Sequence, residues 1–243
     1  MTAHFLVEEL LRNARGPEWL PTQRPCQAVI VNIVPTSSGG DPRDGHHLGR
    51  PEAYVEALRG VLSRLDTNVV DSITDVLSRA WEQGRTVYIV GNGGSAATAA
   101  HLATDLSKGT ATDGQPGLRA VSLADNVALL TAWANDTSYD HSFSGPLRAF
   151  LAPGDVLIAI SASGRSPNVL EAVRAADSMG AVTIGLTGFG GGVLAQTAQI
   201  AMVVDAFDYG LVEDVHLSIG HALTAALKVR LRQQVPAQGV GRL

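Results

Sequence analysis

Residues 86–97 read TVYIVGNGGSAA and combine an apolar run with the glycine-rich turn that ends it. The run is apolar on both faces, as is typical of a strand in a parallel sheet that helices cover on each side. A helix is predicted to follow directly, beginning in the segment AATAAHLATDL. This stretch therefore predicts a strand–turn–helix unit of an α/β fold, with the turn at the carboxyl end of the strand.

Four more apolar runs follow: LRAVSL (118–123), DVLIAI (155–160), AVTIGL (181–186) and IAMVV (200–204). The segments between the runs are long enough for the right-handed crossovers that join parallel strands. Apolar residues at three- and four-residue spacing predict two amphipathic helices before the first strand, PEAYVEALRGVLSRLD and TNVVDSITDVLSRAWEQG. A long helix is predicted from Val212 to about Gln233. We predict an α/β fold, a doubly wound parallel sheet of about five strands with an N-terminal helical pair.

Residues 1–50 differ in composition from the rest of the chain. The stretch PTSSGGDPRDGHH is rich in turn-forming residues, which predicts a linker or loop, and an apolar run at Ala28–Val34 precedes it. The pair His46-His47 allows a metal site, but a solvated loop is the commoner explanation for two histidines beside Gly and Asp. We therefore divide the chain into an N-terminal extension, residues 1–50, and one domain, residues 51–243.

The composition excludes several classes of protein. Hydrophobic residues make up 45% of the chain and charged residues 17%, so the chain is not intrinsically disordered. The net charge is -5 and no run of Lys or Arg occurs, which argues against nucleic-acid binding. The single cysteine, Cys26, excludes an internal disulfide and a cysteine-based zinc cage. No apolar run could span a bilayer and no secretory signal is recognisable, so we expect a soluble, cytoplasmic protein.

Two loops share the features of an anion-binding site. Gly91–Ser95 and Ser161–Ser166 each follow a predicted strand and precede a predicted helix. Ligands of open parallel sheets bind at the carboxyl ends of strands, where backbone N–H groups and a helix N-terminus attract a phosphate. Each loop alone is equally well explained as a tight turn with serine caps, but two such loops favour a phosphorylated ligand. Neither loop is a Walker or dinucleotide motif, so no nucleotide cofactor is expected.

Five segments of the chain resemble, in order, motifs of the sugar isomerase (SIS) family and most closely its phosphoheptose isomerase branch. They are GNGGSAATAAHLATDL, NDTSYD, PGDVLIAISASGRSPNVLEA, LTGFGGG and VEDVHLSIGH. The resemblance spans about residues 52–232. It implies a flavodoxin-like three-layer sandwich and a homotetramer with active sites at subunit interfaces. It also implies conversion of sedoheptulose 7-phosphate to D-glycero-D-manno-heptose 7-phosphate, toward nucleotide-activated heptoses.

The resemblance also assigns roles to individual residues. It implies that three serines hold the substrate phosphate: Ser161, Ser163 and Ser166. It implies that the sugar lies among six residues: Asn92, Gly93, Ser95, Asn135, Asp136 and Glu213. It further implies one zinc ion per subunit, bound by four side chains: His101, Asp105, Glu213 and His221.

The expected reaction restricts which side chains can carry it. Moving a proton between adjacent sugar carbons through an enediol needs a base, an acid and stabilisation of a developing oxyanion. His101 and Asp105 are four residues apart and share one face of a predicted helix, while Glu213, His216 and His221 lie on one broad arc of the last helix. Two imidazoles and two carboxylates are a suitable zinc set. We assign Asp105 as the base, His221 as the opposing acid or base, and His101 as an orienting metal ligand.

One spacing conflicts with this ligand set. Glu213 and His221 are eight residues apart, which is about 12 Å of rise in a straight helix, so both reach one ion only if their side chains converge. His216 is a rival ligand, although packing in the core or a hydrogen bond to a metal ligand would equally explain it.

Four positions depart from the family pattern. Asp105 stands where the family usually has Glu, Glu213 where it has Gln, and Gly210 where it often has Asp, while the basic residue Lys108 comes one position early. These changes leave the phosphate loop intact and the precise substrate open. Two alternatives to the phosphoheptose isomerase function therefore remain open. One is a non-catalytic SIS protein that binds a sugar phosphate or a partner protein, and the other is an isomerase of a different phosphosugar.

Overall fold

A parallel sheet forms the centre of the protein. The computed structural model describes residues 27–30, 48–112, 115–204 and 206–234. Its six strands are β1 (Gln27–Ile30), β2 (Thr86–Val90), β3 (Arg119–Ser122), β4 (Val156–Ser161), β5 (Val182–Thr187) and β6 (Ile200–Val203). They pair in the order β1-β6-β5-β4-β2-β3, and every pair is parallel. The five apolar runs predicted as strands correspond to β2–β6, and β1 adds a sixth strand.

The edge strand β1 comes from the segment predicted as an extension. It pairs with β6, starting at Gln27 opposite Ile200. The predicted apolar run Ala28–Val34 begins inside this strand, and the rest of the run lies outside the described residues, as do His46 and His47. The extension therefore contributes one strand to the sheet of the domain.

Helices cover both faces of the sheet. One face carries α1 (Pro51–Leu62), α2 (Thr67–Glu82), α3 (Gly94–Thr104) and α8 (Tyr209–Gln234), and the other carries α5 (Ser144–Phe150), α6 (Pro167–Ser178) and α7 (Leu194–Thr197). Helix α4 (Val127–Asp136) follows the edge strand β3. Strands β4 and β5 are buried along their whole length because a hydrophobic core lies on each side of them. The predicted three-layer sandwich is confirmed.

Short-range signals explain where the helices begin. Pro51 and Pro167 occupy the first positions of α1 and α6, where the fixed φ of proline fits and its missing N–H costs nothing. Asp66 caps α2 by accepting a hydrogen bond from a backbone N–H at 2.9 Å. Helix α8 begins at Tyr209, three residues before the predicted Val212. No helix in the described part of the chain is long and apolar enough to cross a membrane.

The strand order brings the two glycine- and serine-rich loops side by side. The chain runs from β2 outward to β3 and then crosses back to β4, on the other side of β2. The order therefore reverses between β2 and β4, which is where ligands bind in open α/β sheets. The loops that follow these two strands, Gly91–Ser95 and Ser161–Ser166, lie at this position.

Candidate active site

The loops after β2 and β4 form a small pocket together with the start of α8. Its volume is about 180 Å³, and its polar lining consists of Asn92, Ser95, Ser161, Ser163, Ser166, Tyr209 and Glu213. Ser161 Oγ lies 3.1 Å from Ser166 Oγ, and Ser163 Oγ accepts a hydrogen bond from the Arg165 N–H at 3.3 Å. The three serines predicted to hold a phosphate thus lie in one pocket.

The turn in the segment LTGFGGG packs against the serine loop. The Gly188 N–H donates to the Ala162 carbonyl at 2.8 Å, and the Leu194 N–H donates to the Gly164 carbonyl at 2.9 Å. Gly164 has a φ of 63°, which favours glycine, and a Cβ there would collide with the Gly191 carbonyl oxygen. This segment therefore shapes the loop that carries the serines.

The residues predicted to surround the sugar fall into two groups. Asn92 and Ser95 line the pocket, and Gly93 between them caps α3 with a φ of 55°. Asn135 and Asp136 end helix α4, are exposed, and bond to each other, since Asn135 Nδ2 donates to Asp136 Oδ1 at 2.9 Å. Neither of them is among the residues that line the pocket.

A second group of polar side chains lies where the end of α3 meets α8. His101 Nε2 lies 3.0 Å from His221 Nε2 and 3.4 Å from Asp105 Oδ2, and His221 Nε2 lies 3.7 Å from the same oxygen. The side chains of His101, Asp105 and His221 are 47%, 30% and 54% exposed, in this order. Asp105 begins a short π-helical turn, Asp105–Gly109, an irregularity that is frequent at functional sites.

These three residues suit a divalent metal ion. Their ligand atoms all lie within 4.8 Å of one another. Imidazole nitrogens and carboxylate oxygens are common zinc ligands, and a tetrahedral site with bonds of about 2.1 Å separates its ligand atoms by about 3.4 Å. The observed separations of 3.0, 3.4 and 3.7 Å bracket this value. Three protein ligands with one side open to solvent are the pattern of catalytic rather than structural zinc sites.

Glu213 and His216 lie apart from this group. Glu213 lines the serine pocket, and its carboxylate covers Gly94 at the N-terminus of α3, where a Cβ would collide with it. His216 is fully buried, and burial lowers its pKa to about 4, so its imidazole is neutral. The structure thus brings together three of the four predicted metal ligands. Glu213 is separated from His221 because eight helical residues span about 12 Å.

Three residues at the site are not identified by the sequence analysis: Tyr139, Asn168 and Tyr209. Tyr139 and Asn168 both bond to the side chain of Asn92, and Tyr209 lines the pocket. Tyr139 lies in the NDTSYD segment and Asn168 follows Pro167 in the segment after β4. The motifs thus contain both residues, but nothing in their spacing indicates that they meet.

Comparisons with known proteins show which sequences and structures this chain is similar to. The sequence pattern of the SIS domain matches residues 53–188. A phosphoheptose isomerase of Chlorobaculum parvum is 36% identical over 172 residues, which cover 70% of this chain and 82% of that protein. Another from a Bradyrhizobium species is 36% identical over 190 residues, or 77% of this chain and 93% of that protein. The solved structure of the Neisseria gonorrhoeae phosphoheptose isomerase superposes with a TM-score of 0.70 and 29% identity, covering 75% of this chain and 98% of that chain.

Proposed function

This chain belongs to the SIS domain family and to its phosphoheptose isomerase branch, and we propose that it converts sedoheptulose 7-phosphate to D-glycero-D-manno-heptose 7-phosphate. The reaction is an aldose–ketose isomerisation, so the protein is an enzyme of the intramolecular oxidoreductase class. Its relatives carry the name of this activity. The pocket is suited to bind the phosphate, and the His–Asp–His group is suited to transfer protons.

The spacing of the two groups supports a long sugar phosphate as the substrate. Ser95 lines the pocket at the start of α3, and His101 lies six residues further along the same helix, or about 9 Å of rise. The extended carbon chain of a heptose phosphate has a comparable length. The comparable lengths support a substrate whose phosphate lies in the serine pocket and whose first two carbons lie near the His–Asp–His group.

The residues of this chain divide the reaction between them. The hydroxyls of Ser161, Ser163 and Ser166 hold the phosphate. The Asp105 carboxylate takes a proton from C1 of the ketose and returns it to C2, while His221 gives a proton to the C2 oxygen and accepts one from the C1 oxygen. The sugar hydroxyls are contacted from both loops and the start of α8, by Asn92, Gly93, Ser95 and Glu213.

The three clustered residues His101, Asp105 and His221 would hold one divalent ion, and we infer zinc from their donor set. The second carboxylate oxygen of Asp105 and the second ring nitrogen of His221 would then carry the proton transfers. When bound, such an ion polarises the sugar oxygens and stabilises the negative charge that develops on them. His101 acts as an orienting ligand of this ion. Glu213 does not belong to the cluster and is assigned to the substrate.

We also infer a homotetramer with active sites at subunit interfaces. The exposed positions of Asn135 and Asp136 support it, because in an assembly these side chains would contact the sugar bound to a neighbouring subunit. A cytoplasmic location belongs to the same proposal, and the low cysteine content of the chain is consistent with it.

The convergence of His101, Asp105 and His221 carries the proposal, because a protein that only binds sugar phosphates has no need for a base opposite an acid. Purified protein incubated with sedoheptulose 7-phosphate should form an aldose phosphate, detected by NMR. Asp105→Ala and His221→Ala should each lower kcat by about 100-fold or more. The control Asp177→Ala, an exposed carboxylate on α6, should leave kcat unchanged.

Elemental analysis completes this experiment. The wild type should contain about one zinc ion per chain, and a chelator should remove both the ion and the activity. No product at full metal occupancy would contradict the proposal. Binding of the sugar phosphate without turnover would instead support the non-catalytic alternative.

A further inference from the structure

The side-chain amide of Asn92 is held by two residues outside the predicted site. Its oxygen accepts one hydrogen bond from the Tyr139 hydroxyl at 2.7 Å and another from Asn168 Nδ2 at 3.0 Å. Its nitrogen donates to Asn168 Oδ1 at 2.8 Å. Asn168 is only 1% exposed, and it also donates to Ser142 Oγ at 3.2 Å. Three separate segments of the chain thus meet at one amide.

One backbone group determines the orientation of both amides. The Val169 N–H can only donate, and it lies 3.0 Å from Asn168 Oδ1. The oxygen of Asn168 must therefore be on that side, which leaves its nitrogen to face the oxygen of Asn92. Rotating either amide by half a turn would bring two donors or two acceptors together.

Among the described residues, this network leaves Asn92 with one free polar group. An amide oxygen has two lone pairs, and both accept hydrogen bonds here; an amide nitrogen has two hydrogens, and one is used. Asn92 lines the serine pocket. What it offers to a ligand in that pocket is therefore a single N–H donor and no acceptor.

We propose that Tyr139 and Asn168 are positioning residues that make Asn92 a fixed hydrogen-bond donor to an oxygen of the substrate sugar. This inference rests on the proposed function, in which the sugar must be held so that C1 and C2 reach Asp105 and His221. A donor that is already oriented holds the sugar in this position, and a small misplacement of the reacting atoms is costly for the rate. Tyr139 and Asn168 therefore support turnover more than they support binding of the phosphate.

Asn168→Asp is the most direct test of this proposal. It replaces the nitrogen that faces Asn92 Oδ1 with an oxygen of similar size, so the two side chains repel each other where they were bonded. We expect kcat to fall about tenfold or more, because displacing the reacting carbons by about 1 Å can cost about 100-fold in rate. The new carboxylate also repels a phosphate in the pocket, so phosphate binding is compared in the neutral variant Asn168→Ala. Its dissociation constant for inorganic phosphate, measured by calorimetry, should change by less than about twofold, since the serine hydroxyls are untouched.

Tyr139→Phe tests the same amide from its other side. The ring is 52% exposed, so losing the hydroxyl should not unfold the protein. We expect kcat to fall about three- to tenfold, as the loss of one hydrogen bond implies, with phosphate affinity unchanged. The control Tyr88→Phe removes a comparable bond, from the Tyr88 hydroxyl to the Phe150 carbonyl, and should leave kcat unchanged.

Two results would overturn the proposal. One is wild-type kcat in both Tyr139→Phe and a correctly folded Asn168→Asp, with folding checked by thermal unfolding. The other is a loss of phosphate affinity as large as the loss of kcat in the neutral variants Asn168→Ala and Tyr139→Phe, because a general distortion of the pocket predicts that pattern.

A second readout does not depend on activity. The side-chain N–H resonances of Asn92 can be identified in labelled protein by their absence from Asn92→Asp, and Tyr139→Phe should shift them. Unshifted resonances would refute the network whatever the kinetics. If Tyr139→Phe shifts these resonances but the wild type makes no product, the network stands and the proposed isomerase function is refuted.

Discussion

Glu213 puts a negative charge into the pocket that is expected to hold a phosphate. Among the described residues that line this pocket, it alone has an acidic side chain, whereas the serines offer neutral hydroxyls. Its carboxylate covers Gly94 at the N-terminus of α3, where the helix dipole favours an anion. A bound phosphate dianion and Glu213 therefore compete for the same positive potential.

Removing this charge should tighten phosphate binding. For Glu213→Gln we expect the dissociation constant of inorganic phosphate to fall about three- to tenfold at low salt, and less at high salt, because salt screens the repulsion. Isothermal calorimetry measures this dissociation constant. The control Glu56→Gln removes a carboxylate on α1 that pairs with Arg59, and should not change the constant. Unchanged or weaker binding in Glu213→Gln would show that the carboxylate does not oppose the phosphate.

His216 should make the stability of the protein depend on pH. Burial lowers its pKa in the folded state from 6.5 to about 4, so below about pH 6.5 the unfolded chain binds a proton that the folded chain does not. The free energy of unfolding should therefore be highest above this pH and fall as the pH drops toward 4, by about 3 kcal/mol in total. Urea unfolding at several pH values measures this dependence of the free energy of unfolding on pH.

His216→Phe separates this effect from all other titrations. The variant keeps a ring of similar shape in the core but cannot take up a proton. Its free energy of unfolding should depend less on pH between 4 and 6.5 than that of the wild type. Parallel curves for the two proteins would show that His216 is not the group responsible.

Helix α8 carries three of the residues considered as metal ligands into three different surroundings. Glu213 lines the serine pocket, His216 is buried in the core, and His221 belongs to the cluster with Asp105. With 3.6 residues per turn, these spacings direct the side chains to different sides and heights of the helix. The position of α8 against the sheet therefore sets the geometry of both groups at once.

Gly188 controls how closely α8 approaches the end of β5. A Cβ at this position would lie 2.5 Å from Val212 Cγ2, so Gly188→Ala must displace the helix or the loop. We expect it to lower the free energy of unfolding by about 1–3 kcal/mol, as overpacking does. It should also weaken phosphate binding, because the Gly188 N–H supports the serine loop through the Ala162 carbonyl.

Gly60 provides the matched control for this substitution. It lies inside α1, and the nearest atom to an added Cβ is 3.6 Å away. Gly60→Ala should therefore raise the free energy of unfolding by about 0.5–1 kcal/mol, as alanine does for glycine inside a helix. Urea denaturation of both variants gives the comparison, and equal effects would contradict the packing argument.

At the scale of the whole molecule, the described residues leave an apolar surface uncovered. Helix α4, with the sequence VALLTAWAND, has no buried residue, and Val127 at its start is 65% exposed. The neighbouring strand β3 also exposes Val121, at 46%. Adjacent apolar side chains of this kind mark interaction surfaces. They support the proposed assembly of several copies.

The oligomeric state should depend on this surface. Analytical ultracentrifugation should give a multiple of the 25.3 kDa chain mass for the wild type. Val127→Glu should shift the protein toward smaller species and lower its activity, because a charge would be buried at the interface without a partner. Val229→Glu, at a residue on α8 that is 57% exposed, is the control. A monomeric, fully active wild type would exclude the assembly.

The sequence alone determines the parallel sheet and the serine pocket. Each strand from β2 to β6 lies in a mostly apolar run, and this pattern is local to a few residues. The glycine- and serine-rich loops follow directly from the strand ends, and in a doubly wound sheet such loops meet at the point where the strand order reverses. The pair His101 and Asp105 is equally local, at four residues on one helix.

Only the tertiary structure decides which distant side chains meet. Tyr139 and Asn168 reach Asn92 across 47 and 76 residues, and Glu213 lies in the pocket instead of with His221. The edge strand β1 is likewise set by its pairing with β6. Local patterns follow from steric and hydrophobic preferences of neighbouring residues, whereas these contacts depend on how whole helices and strands pack.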